Sequence, residues 1–252
     1  MTTRGSTSPF AEVAAYIPAR LGSNRVAAKN LRLLAGRPLV EYVIRTSLTA
    51  VTLSAVYVNT ESEQIADVAR RVGALTYLRD PALAVSTTRT DEILYDFARN
   101  IDCGSIVVIN PTAPFLTAGS IDAVVRDHLS DPRRTVMTTN RMSKHLVFEG
   151  RPVNFTANAP SPRTQDLAPF EYINFLVFAI ERQKVISGYE ARGYCLYDAP
   201  LAFHPLAGIE THDIDEEADF LLAELYLNQH QRPAAYDASI DAAMADGADF
   251  KT

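Results

Sequence analysis

Short apolar runs alternate with helix-period stretches along the first half of this chain, and that alternation constrains its fold more than any other feature. Val13-Ala14-Ala15-Tyr16-Ile17-Pro18 is an apolar run that stops at a proline, the pattern of a buried strand. Residues 39–48 read as a helix and 55–59 as a short strand. Thr60-Glu61-Ser62-Glu63 has capping-box spacing. Ile65, Val68, Ala69 and Val72 follow at i, i+3, i+4 and i+7, which predicts a helix over 61–72. The pattern then repeats, with a strand at 75–78, a helix at 91–100, the buried strand Ser-Ile-Val-Val-Ile at 105–109 and a helix at 118–129. Such alternation predicts an α/β fold, a mostly parallel central sheet flanked by helices. Ligands of such sheets bind beyond the carboxyl ends of the strands. Those ends lead into residues 18–30, 59–61 and 110–117.

The second half is less regular. Residues 142–169 hold four prolines and few periodic apolar positions, so they read as a long loop of a length that is often functional. Strands are expected at 172–180 and 201–204, and an acidic-capped helix at 216–228. The length suits one domain over 13–231, with loose termini at 1–12 and 232–252.

The net charge of −6 argues against a nucleic-acid partner. Within that acidic balance Arg20, Arg25 and Lys29 form a local basic cluster, which suits a small anionic ligand. No apolar run reaches membrane-spanning length. The first twelve residues carry no hydrophobic signal stretch, so a cytoplasmic protein is expected. Two cysteines, Cys103 and Cys195, are too few for a disulfide framework or a zinc site.

Two stretches carry chemistry. The first runs Ile17-Pro18-Ala19-Arg20-Leu21-Gly22-Ser23-Asn24-Arg25-Val26-Ala27-Ala28-Lys29-Asn30. Small residues let backbone amides approach an anion, and the three cations can neutralise a triphosphate. It is neither a Walker loop nor a dinucleotide fingerprint. By spacing alone it reads equally as a phosphate loop or a solvated basic loop. The second is His212-Asp213-Ile214-Asp215-Glu216. In extended backbone Asp213 and Asp215 face one side, where paired carboxylates can hold a hard divalent cation. The same residues before a helix can instead serve as its cap.

Both stretches, together with Gly36-Arg37-Pro38-Leu39, Val56-Tyr57-Val58-Asn59-Thr60-Glu61, Leu78-Arg79-Asp80-Pro81-Ala82-Leu83-Ala84, Asn110-Pro111-Thr112-Ala113-Pro114 and Arg163-Thr164-Gln165-Asp166-Leu167, occur in chain order over about residues 13 to 228. In this the chain resembles the acylneuraminate (CMP-sialic acid and related CMP-acid-sugar) cytidylyltransferases. The resemblance implies a GT-A-like nucleotidyltransferase fold. It also implies a small projecting dimerisation segment, at 142–180, that swaps across a homodimer.

The activity it implies is CTP-dependent transfer of CMP to an acidic sugar, with release of pyrophosphate and with Mg²⁺ as cofactor. By position, Arg20, Lys29, Asp213 and Asp215 would be catalytic, and the two aspartates would hold the metal. Ala19, Ser23, Arg25 and Asn30 would line the phosphate loop. Arg79 and Thr90 would sit by the cytosine, and Asn110 and Thr112 would face the nucleotide or the acceptor. Arg163, Gln165, Asn174 and Phe175 would address the acceptor.

The chain departs from the family pattern at several positions. Asn24 and Ala27 stand for its Lys and Pro, Asn110 and Leu116 for its Gln and Arg, Phe175 for a Gly, and Ser86 for an Asp. The nucleotide half is thus kept better than the acceptor half, which implies an acceptor other than a nine-carbon sialic acid. An eight-carbon acid sugar or a compact phosphonate would fit that expectation. A nucleotidyltransferase using another nucleotide, a glycosyltransferase, or a degenerate nucleotide-binding homologue are the competing readings.

Overall fold

The computed structural model describes residues 13–22 and 26–229. The residues assigned to loose termini, 1–12 and 232–252, lie outside the described residues, as do Ser23, Asn24 and Arg25.

Seven strands form the central sheet. They are β1 (Val13–Pro18), β2 (Ala55–Thr60), β3 (Leu75–Leu78), β4 (Ser105–Ile109), β5 (Thr135–Met142), β6 (Phe170–Glu181) and β7 (Leu201–Leu206). Their order across the sheet is β7-β5-β6-β4-β1-β2-β3. Every neighbouring pair is parallel except those that β6 makes with β4 and β5. The expected mostly parallel sheet is therefore present, with one antiparallel strand inside it.

The period-2 alternation of β1 and β4 feeds two separate cores. Val13, Ala15, Ile17, Val107 and Ile109 face one side, where they meet α1 (Leu39–Thr49), α2 (Glu63–Arg71) and α4 (Ala118–Ser130). Tyr16, Ile106 and Val108 face the other side, against α3 (Thr90–Asn100) and α5 (Arg182–Arg192). A third cluster seats α6 (Glu217–Asn228) on the loop after β1, through Phe220, Ala223, Ile214, Val26, Leu34 and Leu39.

Three elements differ from the sequence expectation. Helix α2 starts at Glu63, because the Ser62 hydroxyl caps it by accepting from the Ile65 N–H. Glu61 is left outside the helix. Strand β5 is Thr-rich rather than apolar, and it is buried because strands flank it on both sides. Helix α5 buries only Val185 and Gly188, too little to register as an apolar stripe, and ends at Gly193 in the left-handed region (φ 74°). The stretch expected to project, 142–180, divides in two. Residues 170–181 are β6, inside the sheet, and 143–169 form an exposed excursion with a two-strand hairpin, Val147–Phe148 and Arg151–Pro152. Among the described residues no helix is long and apolar enough to cross a membrane.

Candidate active site

The carboxyl ends of β1 and β4 open into a cleft of about 490 Å³. Arg20, Gly22, Lys29 and Asn30 reach it from the loop after β1, and Asn110, Pro111 and Thr112 from the loop after β4. Asp213 and Asp215 enter from the segment before α6, Thr90 from the start of α3, and Phe175 and Phe178 from β6. The basic loop and the paired aspartates thus share one cleft.

Their contact is direct. The Lys29 Nζ donates to the Ile214 carbonyl (2.5 Å) and lies 3.5 Å from the Asp215 carboxylate. Ile214 is fully buried in the third core, which turns the flanking Asp213 and Asp215 side chains the opposite way. The Ile214 N–H donates to the Thr112 carbonyl (3.0 Å), fixing this segment to the loop after β4. The alternative role for the aspartates, capping α6, is filled by other residues. Glu216 and Asp219 make a reciprocal capping box, and Asp219 also accepts from the Asp215 N–H (3.0 Å). Asp213 and Asp215 are therefore left to the cleft.

Asp213 is half-buried. The Thr112 hydroxyl donates to it (2.5 Å) and the Asn110 amide approaches it (3.4 Å). Burial raises its carboxyl above the ordinary range, and the like charge of Asp215 pushes the same way, against the Thr112 hydrogen bond and the Lys29 charge. A divalent cation would relieve both effects. The oxygen donors match a hard cation, since Mg²⁺ commonly takes one or two carboxylates and completes its shell with phosphate and water. Among the described residues no group of three or more His, Cys, Asp or Glu could hold a metal alone.

The residues expected to line a phosphate loop have distinct places. The Asn30 amide donates to the Arg20 carbonyl (2.9 Å), which closes the loop on itself. The Arg20 guanidinium has no ion-pair partner among the described residues. Ala19 is buried beneath the loop, with its N–H bound to the Asn59 carbonyl (2.9 Å), and does not line the cleft. Ser23 and Arg25 lie outside the described residues.

Arg79 does not line the main cleft either. Its side chain is 3% exposed and lines an adjoining hollow of about 250 Å³ that shares Pro18, Arg20 and Ser86 with the cleft. It donates to Asn59 Oδ1 and to Glu61 Oε2, both at 2.9 Å. The other Glu61 oxygen accepts from the Leu21 N–H (2.8 Å). Glu61 thus ties the hollow to the start of the loop after β1, a role that the sequence expectation missed by placing it inside α2. Replacing Glu61 with Ala would leave the buried Arg79 charge without its counter-ion. We expect a loss of about 2–3 kcal/mol, measured by urea denaturation.

Three of the four residues expected to address an acceptor lie elsewhere. Arg163 is 72% exposed and paired to Asp166 (2.7 Å), and Gln165 is exposed beside it. Both belong to the excursion, outside this chain's cleft. The Asn174 side chain is consumed by Thr138 and Asn140 of the neighbouring β5 and by Leu176 of β6. Only Phe175 lines the cleft. Leu116, which stands where the family pattern has Arg, is a buried core residue.

Residues 14–179 match the family model described as cytidylyltransferase. A CMP-N,N'-diacetyllegionaminic acid synthase of Legionella pneumophila is 29% identical over 232 residues, covering 87% of this chain and 97% of the relative. An N-acylneuraminate cytidylyltransferase of Streptococcus agalactiae is 24% identical over 217 residues, covering 81% of this chain but only 51% of that protein. Among solved structures, a CMP:2-keto-3-deoxy-manno-octonic acid synthetase complexed with CTP superposes with a TM-score of 0.67 at 16% identity, covering 86% of this chain and 99% of the other.

Proposed function

The chain belongs to the cytidylyltransferase family, and from that premise we propose that it transfers CMP from CTP to the hydroxyl of a 2-keto acid sugar, releasing pyrophosphate. The observation that carries this reading is the shared cleft, in which Lys29 of the basic loop lies 3.5 Å from Asp215 of the aspartate pair. Arg20 and Lys29 bind the triphosphate, and Asn30 holds the loop closed around it. The smaller hollow beside Arg79 and Ser86 receives the base. Asp213 and Asp215 would hold Mg²⁺, which when bound would supply charge neutralisation for the triphosphate. The acceptor oxygen forms a bond to the α-phosphorus, the bond from that phosphorus to the oxygen bridging to the β-phosphate breaks so that pyrophosphate leaves, and the hydroxyl proton passes to solvent. Alignment and charge neutralisation supply the catalysis, with no covalent enzyme intermediate.

We assign Arg163 and Gln165 to the acceptor site of a second copy in a homodimer. Their exposure outside this chain's cleft supports that assignment, as do the exposed Val147, Phe148 and Val153 on the same excursion. The reaction takes place in the cytoplasm, where nucleoside triphosphates are available.

Pyrophosphate release with CTP, Mg²⁺ and a panel of acid sugars tests the reading. Release is expected with CTP and at least about tenfold less with UTP. No release with any acid sugar, and no thermal shift on adding CTP, would refute it. Mixing Arg163→Ala with Asp213→Asn protein is expected to restore activity that neither has alone. A mixture as inactive as its components would refute the shared site.

A further inference from the structure

Strand β6 carries a pronounced bulge beside the cleft. Ile173 pairs with Thr139 and Phe178 with Met137, so residues 174–177 face Thr138 alone. Hydrogen bonds from Thr138, Asn174 and Asn110 hold this bulge in place. The Thr138 hydroxyl donates to Asn174 Oδ1 (2.5 Å) and accepts from the Val177 N–H (3.0 Å). The Leu176 N–H donates to the same Asn174 oxygen (3.1 Å), and the Leu176 carbonyl accepts from the Asn110 N–H (2.8 Å). Within this frame Phe175 is held at φ 56°, a left-handed conformation that bulky side chains rarely adopt. Bulges beside sites re-aim side chains, and a backbone outlier held by its surroundings points to a function.

The side chain that this bulge re-aims is an aromatic ring. Phe175 lines the cleft, is 38% exposed, and meets Tyr197 edge-on at 6.1 Å between ring centroids. With Phe178 and Val108 it gives the cleft an apolar wall, whereas Arg20, Lys29, Asp213 and Asp215 supply a charged part. A ligand fitting both has an anionic part and a flat carbon–hydrogen face.

We infer that Phe175 is the specificity-determining residue of the acceptor site. It packs on the C–H face of the sugar ring and restricts the site to compact acid sugars without a bulky substituent on that face. This inference rests on the cytidylyltransferase reading and adds the class of acceptor to it. The Phe175 ring has no charged or hydrogen-bonding group to offer a triphosphate, so nucleotide and acceptor effects are expected to separate.

The test compares an eight-carbon 2-keto-3-deoxy acid sugar with a nine-carbon acid sugar bearing an N-acyl group, by pyrophosphate release. The proteins are wild type, Phe175→Gly and Phe175→Leu. Wild type should favour the compact acceptor by about tenfold or more in kcat/KM. Phe175→Gly should erase most of that preference by admitting the bulky acceptor, while KM for CTP changes less than about twofold. Phe175→Leu retains an apolar obstacle and should keep the preference, which guards against a misfolded glycine variant. A wild-type preference for the bulky acceptor, or an acceptor ratio unmoved in Phe175→Gly with CTP binding intact, overturns the inference alone. No release from CTP with either acceptor, and no CTP-induced thermal shift, overturns the inference together with the reading beneath it.

Discussion

Asp213→Asn is expected to lower the rate of CMP transfer by about a thousandfold while leaving the ligand-free protein as stable as wild type or more so at neutral pH. The two effects come from one environment. Asp213 sits half-buried between Thr112, Asn110 and the like charge of Asp215, and its burial raises its carboxyl above the ordinary range. A carboxylate with a higher folded than unfolded pKa binds its proton more tightly in the native state. The ligand-free protein therefore loses stability as pH rises from the unfolded value through the folded one. An amide carries no such dependence, so the stability advantage of Asp213→Asn should be present at neutral pH and vanish in acid. The same substitution removes one of the two carboxylates proposed to hold the metal. Steady-state pyrophosphate release and denaturation curves at several pH values check both halves. An inactive variant that had also become less stable would point to a structural aspartate.

Phe97→Ala is expected to destabilise the protein by about 4 kcal/mol, read from its urea transition, the largest single-residue stability loss foreseen here. Phe97 is fully buried on α3, with Tyr16, Tyr57 and Tyr77 around it at centroid distances of 4.6, 5.6 and 5.7 Å. Tyr16 comes from β1, Tyr57 from β2 and Tyr77 from β3, so one ring ties a helix to three strands. Tyr77 donates to Asp96 (2.9 Å), and burial together with that bond pushes its phenol up to about 12, so the polar end of the cluster stays neutral. Little of this assembly can collapse into a void left by alanine. Phe97→Leu keeps most of the volume and should lose less than about 1.5 kcal/mol. Equal losses for the two variants would mean that ring geometry rather than cavity volume governs the site.

The sequence was most legible where periodicity and local chemistry agreed. The runs at 13–18 and 105–109 alternate toward two cores, and α2 and α4 carry apolar stripes at helical spacing, so each element was readable alone. Strand β5 was not, because its threonines are buried only through strands contributed from elsewhere in the chain. Helix α5 was missed for want of a stripe. The metal-pair reading of Asp213 and Asp215 could not be separated from capping until Glu216 and Asp219 were seen to cap α6. Glu61 was hidden by a capping pattern that begins two residues later than spacing implied. The bulge that presents Phe175 depends on Thr138, which lies 36 residues before Asn174, and no local pattern announces it. Arg163 and Gln165 carried a motif but not their place, which lies away from the cleft of their own chain.

That the basic turn and the aspartate pair grip one nucleotide is tested most directly by calorimetric titration of CTP, with and without Mg²⁺, into wild type, Lys29→Ala and the double variant Asp213→Asn/Asp215→Asn. A shared grip predicts that Mg²⁺ tightens binding to wild type, that the double aspartate variant loses this Mg²⁺ dependence, and that Lys29→Ala binds more weakly in both conditions. Mg²⁺-dependent binding of CTP to the double aspartate variant as tight as to wild type would contradict it.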